Sequence, residues 1–231
     1  MDSAFLAEPD FEYKDEYIDF YEEWLASGES IVPWVDSRGP SDFEGMLQFL
    51  RQNEKGEGIP EDWVPSSTYW FVTENKRVIG AVNIRHRLNE KLLQSGGHIG
   101  YGVRPAERQK GYASLLLSLA LEKAKELGIT KALVACDDWN VVSEKTILKY
   151  SGVPVANFRE EDGNIVKRFW IATCSIRKSF MHVRQKKRGG SHLFLPQIIQ
   201  RFGRTPDTRV RRSLPADVAA YPSRLMAANS R

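Results

Sequence analysis

Residues 97–127 constrain the fold of this chain more than any other stretch. Alternating apolar residues at the start of this run predict a strand over residues 97–103. A turn follows at Arg104-Pro105. A leucine-rich segment then predicts a helix that ends at Gly128, a residue suited to a left-handed C-terminal cap. We therefore expect a buried strand that leads directly into a buried helix.

The turn between this strand and this helix has the composition of an anion-binding site. The first N–H groups of a helix lack intrahelical partners and lie at the positive end of the helix dipole. Gly111 and Ala113 leave that backbone uncovered, and Arg108 and Lys110 flank it. The turn therefore predicts a cradle for a phosphate or pyrophosphate, or, alternatively, an ordinary basic helix start. The chain lacks both the Walker loop and a complete dinucleotide fingerprint. The cradle reads Arg108-Gln109-Lys110-Gly111-Tyr112-Ala113.

Hydrophobic periodicity predicts the other elements. Ser41 and Glu44 form a capping box that starts one of the helices, and Asp162-Gly163 marks a hairpin turn. The order is strand, two helices, three strands, helix, strand, helix and two strands. This order predicts a mixed central sheet flanked by helices, an α/β or α+β domain. The further strands are predicted at 3–7, 69–73, 78–84, 129–136, 153–159 and 165–173, and the further helices at 15–27, from 41 and at 141–150.

Two motifs resemble those of the GNAT N-acetyltransferases. The run from Arg108 to Ala113, which follows a Val-x-Pro strand end, resembles the family's Arg/Gln-x-x-Gly-x-Gly/Ala loop. The run from Asn140 to Ser143 resembles its Asn-x-x-Ser/Ala helix start. The order of elements is also similar over residues 3–173, and residues 85–101 resemble a bacterial subgroup of predicted acetyltransferases.

The resemblance implies an N-acetyltransferase that uses acetyl-CoA as co-substrate. In the family the loop holds the pyrophosphate, and backbone groups of the preceding strand bind the pantetheine and the thioester carbonyl. Tyr101 and Val103 alternatively serve only as sheet core, and Asn140 also suits a helix N-cap. The implied cofactor-binding residues are Tyr101, Val103, Arg108, Gln109, Lys110, Gly111, Tyr112, Ala113, Asn140 and Ser143.

The catalytic residues are less directly indicated. Many members of the family have a tyrosine seven residues after the Asn, and this tyrosine acts as the acid that protonates the coenzyme A thiolate. This chain has Ile147 at that position. Either Tyr150, near the same helix face, substitutes for it or the thiolate leaves unassisted; Tyr150 is alternatively a packed aromatic. His86 and His98 are the candidate general bases because histidine titrates near neutral pH, although a lone histidine is often structural. Cys136 is rejected as a nucleophile, since no basic neighbour is evident to lower its pKa.

The expected acceptor is a primary amine, most simply a small molecule, with a protein lysine or N-terminus as the alternative. Trp34, Trp63 and Trp70 are candidates to line its site, with acids of the first helix attracting a cationic amine; all three are equally compatible with core positions. A second hypothesis is an acyl-CoA-binding module without turnover, which the absent tyrosine at Ile147 keeps open. A homodimer is also compatible with the resemblance.

The charge distribution divides the chain in two. Residues 1–176, the expected catalytic domain, carry a net charge of −8, and residues 177–231 carry +11. The basic extension is either a nucleic-acid-binding arm or a disordered appendage, and its low hydrophobicity favours the latter. Two cysteines make neither a disulfide framework nor a metal site. The chain has no apolar run long enough to span a membrane, so a cytoplasmic protein is expected.

Overall fold

The computed structural model describes residues 3–33, 35 and 39–175. These residues contain seven strands and four α-helices, joined by loops and short helical turns. The basic extension, residues 177–231, lies outside the described residues. The strands are β1 (Ala4–Ala7), β2 (Ser66–Thr73), β3 (Val78–Arg85), β4 (Ile99–Val103), β5 (Lys131–Asp137), β6 (Val153–Arg159) and β7 (Ile165–Ala172). The helices are α1 (Lys14–Ala26), α2 (Phe43–Lys55), α3 (Tyr112–Glu126) and α4 (Val141–Lys149).

The strands form two antiparallel ladders, one in the order β1-β2-β3-β4 and the other in the order β5-β7-β6. The predicted α+β class, with sheets flanked by helices, is confirmed. The two ladders meet where the backbone N–H of His98 donates to the carbonyl oxygen of Leu133, with an N···O distance of 2.7 Å. Gly97 permits this approach, because a Cβ at that position would lie 2.6 Å from the same carbonyl oxygen.

Two apolar clusters hold the layers together. One lies between α1, α2 and the first sheet, and the other joins α3 and α4 to both sheets. Burial of these side chains is the main stabilising contribution to the fold. Large members of the first cluster are Tyr17, Phe20, Trp24, Phe43 and Trp70, and of the second Phe71, Ile99, Leu116, Leu117, Ile147 and Phe169.

The structure differs from the sequence-based prediction at several element starts: β4 and β5 each begin two residues later than predicted, at Ile99 and Lys131. Strand β2 begins at Ser66 rather than at residue 69, because the hydroxyl residues before Tyr69 pair with β3 instead of forming a loop. Helix α2 is capped by Asp42 and not by Ser41: the Asp42 carboxylate accepts a hydrogen bond from the N–H of Gly45 at 3.0 Å. Both residue types cap helices well, so the pattern alone did not separate them. Within the described part of the chain, no helix has the length and apolar character needed to cross a membrane.

Candidate active site

The gap between β4 and β5 exposes unpaired backbone groups. Hydrogen bonds from Arg85 N–H to the His98 carbonyl and from Arg104 N–H to the Ile79 carbonyl fix the pairing of β4 with β3. Antiparallel pairing alternates along a strand, so the N–H and C=O groups of Tyr101 and Val103 point away from β3. No described strand pairs with β4 on that side. The N–H groups of both residues and the carbonyl of Tyr101 therefore face the gap without a partner.

The predicted anion cradle lies where β4 ends and α3 begins. Gln109 and Gly111 adopt positive φ angles of 61° and 84°, which turn the chain sharply before the helix. Among the described residues, no acceptor takes a hydrogen bond from the N–H groups of residues 109–113. Five consecutive donors at a helix N-terminus have the geometry and the partial positive charge that a phosphate group requires.

The basic side chains that flank the cradle have protein partners. The Arg108 guanidinium forms two hydrogen bonds to the Glu29 carboxylate, at 2.8 and 2.6 Å, and a third to the carbonyl of Val103 at 3.2 Å. It also lies over the Trp24 ring. Arg108 therefore ties the cradle to the segment after α1. The half-exposed Lys110 pairs with Glu107 at its outer edge.

Asn140 and Ser143 start helix α4. The Asn140 side chain accepts a hydrogen bond from the N–H of Ser143 at 3.0 Å, so Asn140 is a helix N-cap. The Ser143 side chain lies close to the hydroxyl of Tyr101, although no well-formed hydrogen bond joins them. The N-terminus of α4 and strand β4 thus approach each other across the gap.

The Tyr101 hydroxyl is wholly buried and has no hydrogen-bond partner among the described residues. Burial raises the pKa of Tyr101, so the group keeps its proton at neutral pH. A buried hydroxyl without a partner destabilises the folded state by about 1–3 kcal/mol. Such a group is an available donor for a ligand that enters the gap.

Tyr150, the predicted acid, has a partner. Its hydroxyl donates to the carbonyl of Ser114 in the first turn of α3, with an O···O distance of 2.7 Å. Burial raises its pKa. Ile147, which occupies the family's tyrosine position, is completely buried in the core. The Tyr150 hydroxyl thus joins the end of α4 to the helix that carries the cradle.

His98 joins the two sheets. Its Nδ1 atom accepts a hydrogen bond from the N–H of Leu133 at 2.9 Å, so the neutral ring carries its proton on Nε2. Burial, with a smaller effect of the nearby Arg85 charge, lowers the pKa of His98 to about 4. With its lone pair already engaged, His98 is a positioning residue at the closed end of the gap.

This burial makes the stability of the fold depend on pH. The unfolded chain protonates His98 near pH 6.5 while the folded protein does not, so stability falls as the pH drops from about 6.5 towards 4. We expect His98→Asn, which keeps an acceptor for Leu133 N–H but cannot titrate, to remove about 2 kcal/mol of the loss between pH 7 and pH 5. Urea unfolding of both proteins at the two pH values measures this. Equal losses in wild type and variant would contradict the assignment.

His86 lies in a different hydrogen-bonded chain. The Ser67 hydroxyl donates to Glu54 at 2.9 Å, and the Ser67 oxygen lies 2.9 Å from His86 Nε2. Nε2 therefore carries the proton and Nδ1 retains a lone pair. Burial lowers the pKa of His86, with Glu54 acting in the opposite direction. Alternation places His86 on the α3 side of the sheet, next to β2.

Cys136 and Asp137 end strand β5 as buried groups. Burial raises the pKa of the Cys136 thiol to about 12, which agrees with its rejection as a nucleophile. Burial also raises the pKa of Asp137, whose carboxylate accepts a hydrogen bond from Asn164 at 2.7 Å.

Within residues 3–33, 35 and 39–175, no group of three or more His, Cys, Asp or Glu is arranged to hold a metal ion.

Of the predicted acceptor-side aromatics, the structure describes Trp63 and Trp70, which pack against different aromatic neighbours. Trp70 is completely buried and stacks on Tyr17, with ring centroids 4.3 Å apart. Trp63 lies against Phe49, and Trp34 is outside the described residues. Polar side chains that the sequence analysis missed occupy the same face of the first sheet. They are Ser66, Thr68, Asn83 and Arg85. The consecutive hydroxyl residues Ser66, Ser67 and Thr68 show no alternation from which a strand face could have been predicted.

Known structures share this fold. Microcin C7 self immunity acetyltransferase MccE, solved in complex with acetyl-CoA and AMP, gives a TM-score of 0.54 at 13% identity, covering 74% of this chain and 93% of its own. Mutant forms of the spermidine/spermine N-acetyltransferase SpeG from Vibrio cholerae give 0.52 at 16%, over 74% and 94%. A chimera of that spermidine N-acetyltransferase and hSSAT gives 0.51 at 15%, over 74% and 96%.

The sequence itself matches a family model. No curated protein matches the chain significantly. Residues 46–152 match the model of the acetyltransferase (GNAT) family, and this range includes β4, the cradle, α3 and α4. The matched residues thus contain both motifs that suggested the family and the gap between the two sheets. Residues 46–152 are a GNAT acetyltransferase domain, and the protein is an acyltransferase.

Proposed function

We propose that the protein transfers an acetyl group from acetyl-CoA to a primary amine of a small molecule, with both substrates bound together. The observation that carries this proposal is the row of five unpartnered N–H groups at residues 109–113, which continues into the open edge of β4. The structures of MccE with acetyl-CoA and of SpeG, a spermidine/spermine acetyltransferase, share the fold and are consistent with it.

The proposal gives each part of the co-substrate a place along the gap. The cradle, made by Gln109, Lys110, Gly111, Tyr112 and Ala113, would hold the pyrophosphate. The gap runs back along β4 for roughly 13 Å at about 3.3 Å per residue before His98 closes it. Backbone groups of Tyr101 and Val103 along this edge would hold the pantetheine arm and the thioester carbonyl.

The chemistry requires little of the protein beyond positioning and charge stabilisation. Acetyl-CoA supplies an activated thioester. The neutral acceptor nitrogen forms a bond to the carbonyl carbon, the C–S bond breaks, and the proton from nitrogen is lost as the sulfur leaves as a thiol. The Tyr101 N–H donates to the carbonyl oxygen, and the Tyr101 hydroxyl donates to the departing sulfur. His86 lies next to β2, on the far side of β3 from the gap, so the amine proton passes to water and not to His86.

Coenzyme A binding and amine-dependent thiol release test this proposal. Titration calorimetry with coenzyme A should give a saturable signal. Release of free thiol from acetyl-CoA should accelerate when a suitable amine is added. Absence of coenzyme A binding by folded protein would refute the cofactor site. Binding without amine-dependent release would instead support the acyl-CoA-binding alternative.

The two tyrosines give a matched pair of variants. We expect Tyr101→Phe to lower kcat by about 100-fold or more, because one donor to a developing charge contributes about that much. Removing the unpartnered hydroxyl should leave the folded state at least as stable. We expect Tyr150→Phe to change kcat less than threefold and to cost about 1 kcal/mol of stability, since its hydroxyl hydrogen-bonds Ser114. A loss of kcat in Tyr150→Phe alone would reverse the two roles.

A further inference from the structure

A buried polar cluster lies on the face of the first sheet that α1 and α2 cover. The Asn83 side-chain nitrogen donates to Ser66 Oγ and to Thr68 Oγ1, both at 3.0 Å. All three residues are more than nine-tenths buried. Among the described residues the Asn83 amide oxygen accepts no hydrogen bond, and neither hydroxyl donates one. One acceptor and two donors of this cluster therefore have no partner among the described residues. Buried polar groups are normally hydrogen-bonded, so these three groups are available to a ligand.

Arg85 extends this cluster towards the gap. It is the register partner of Ser66 across β2 and β3, as Asn83 is of Thr68, so all four side chains share one face. The Arg85 guanidinium lies above Gly100 of β4: a Cβ on Gly100 would be 3.1 Å from its Nη1 atom. The lack of a side chain at Gly100 therefore gives the guanidinium its place beside the open strand.

No carboxylate among residues 3–33, 35 and 39–175 forms an ion pair with Arg85. Its one hydrogen bond among the described residues runs from Nη1 to the carbonyl of Gly96 at 3.1 Å. The two other arginines near β4 are neutralised. Arg104 pairs with Asp19 and Glu23, and Arg108 pairs with Glu29. Asp19 and Glu23, two of the acids of α1 expected to attract a cationic amine, are thus paired with Arg104, and Arg85 remains a half-buried cation beside β4.

We infer that the acceptor carries a carboxylate, as an amino acid does, and that Arg85 binds this carboxylate. Ser66, the register neighbour of Arg85, supplies a further donor, and the Asn83 amide oxygen is placed to accept from the amine. A guanidinium presents paired N–H donors that match a carboxylate. This rests on the proposed acetyl transfer and names the class of its acceptor.

The position of the cluster agrees with the site of transfer. Asn83 is the register partner of Gly100, one residue before Tyr101. At Gly102 the same face is closed, because a Cβ there would meet Trp24 and the carbonyl of Val32 at 2.5 Å. An acceptor held by Arg85 and Asn83 therefore has its amine at the middle of β4, where the gap opens, and not at the cradle.

A paired acceptor panel tests the inference. Free α-amino acids, their carboxamides and spermidine are compared as acceptors at a fixed concentration of acetyl-CoA. We expect at least one amino acid to exceed its own amide by tenfold or more in kcat/KM. Arg85→Gln should lower kcat/KM for the amino acid by about 10- to 100-fold and barely change that for the amide. Arg85→Lys should retain part of the activity, and the exposed Arg87→Gln is the matched control.

The outcomes separate this inference from the proposed function. Coenzyme A affinity should be the same in wild type and Arg85→Gln. If coenzyme A binds but amides or spermidine are acetylated as well as the amino acids, or if no amino acid is acetylated, the carboxylate assignment is wrong and the cofactor site stands. If coenzyme A does not bind, the proposed function fails. Thermal shifts induced by amino acids, present in wild type and lost in Arg85→Gln, then decide the carboxylate site independently.

Discussion

Replacing Ala113 by glutamate is expected to weaken coenzyme A binding by at least 100-fold. Ala113 is the second residue of α3, and its N–H is one of the five unpartnered donors of the cradle. A carboxylate about 5 Å from a bound phosphate costs about 3 kcal/mol per charge at an effective dielectric constant near 20. The same carboxylate near a helix N-terminus stabilises the helix by about 0.3–1 kcal/mol. Loss of binding should therefore occur without loss of fold.

The matched control is Ala113→Gln, which adds a side chain of similar size without a charge. We expect its affinity for coenzyme A to fall less than tenfold, and titration calorimetry on both variants gives the comparison. If both variants lose binding equally, steric exclusion rather than anion recognition governs the site. If neither does, the pyrophosphate does not lie at residues 109–113.

Replacing Arg104 by methionine is expected to lower the free energy of unfolding by about 3 kcal/mol. The Arg104 side chain is almost completely buried. It donates from Nε to Glu23 at 2.8 Å, from Nη1 to the Val78 carbonyl at 3.1 Å and from Nη2 to Asp19 at 2.7 Å. Methionine fills much of the volume but satisfies none of these acceptors. Thermal unfolding should shift by roughly 10 °C for a domain of this size.

The control for Arg104→Met is Lys76→Met. Lys76 pairs with Glu12 on the surface, with the two side chains 62% and 49% exposed, so its removal should cost less than about 1 kcal/mol of stability.

The stabilising effect of Arg104 also depends on pH. Burial opposes ionisation of Glu23, but hydrogen bonds from Arg104 and from the Ala106 N–H outweigh it and lower the Glu23 pKa. Stability from Glu23 is present above its unfolded pKa and is lost as the pH falls through the folded value. The stability difference between wild type and Arg104→Met should therefore narrow in acid; equal differences at pH 7 and pH 3 would contradict this role.

The candidate site shows where sequence reasoning was sufficient. The turn from β4 into α3 involves only neighbouring residues, so a glycine and a run of helix formers already indicated bare N–H groups at residues 108–113. Only at Arg108, whose N–H donates to the Pro105 carbonyl, does the structure differ. Asn140 is likewise a local case, since an N-cap contacts the residue three positions later. The start of β2 was missed because Ser66 and Thr68 are as common in loops as on strands, and their pairing with Asn83 and Arg85 depends on register.

The sequence by itself determined the order of elements and the uncovered turn before α3, because these follow from backbone preferences and from contacts between near neighbours. The resemblance to the family came from its two motifs. Only the tertiary structure decided which charges remain available. Arg108 is paired with Glu29, 79 positions away, while Arg85 has no carboxylate partner in the part of the chain that the structure describes. The strength of a charge depends on distance and burial, and both are set by which distant segments the fold brings together.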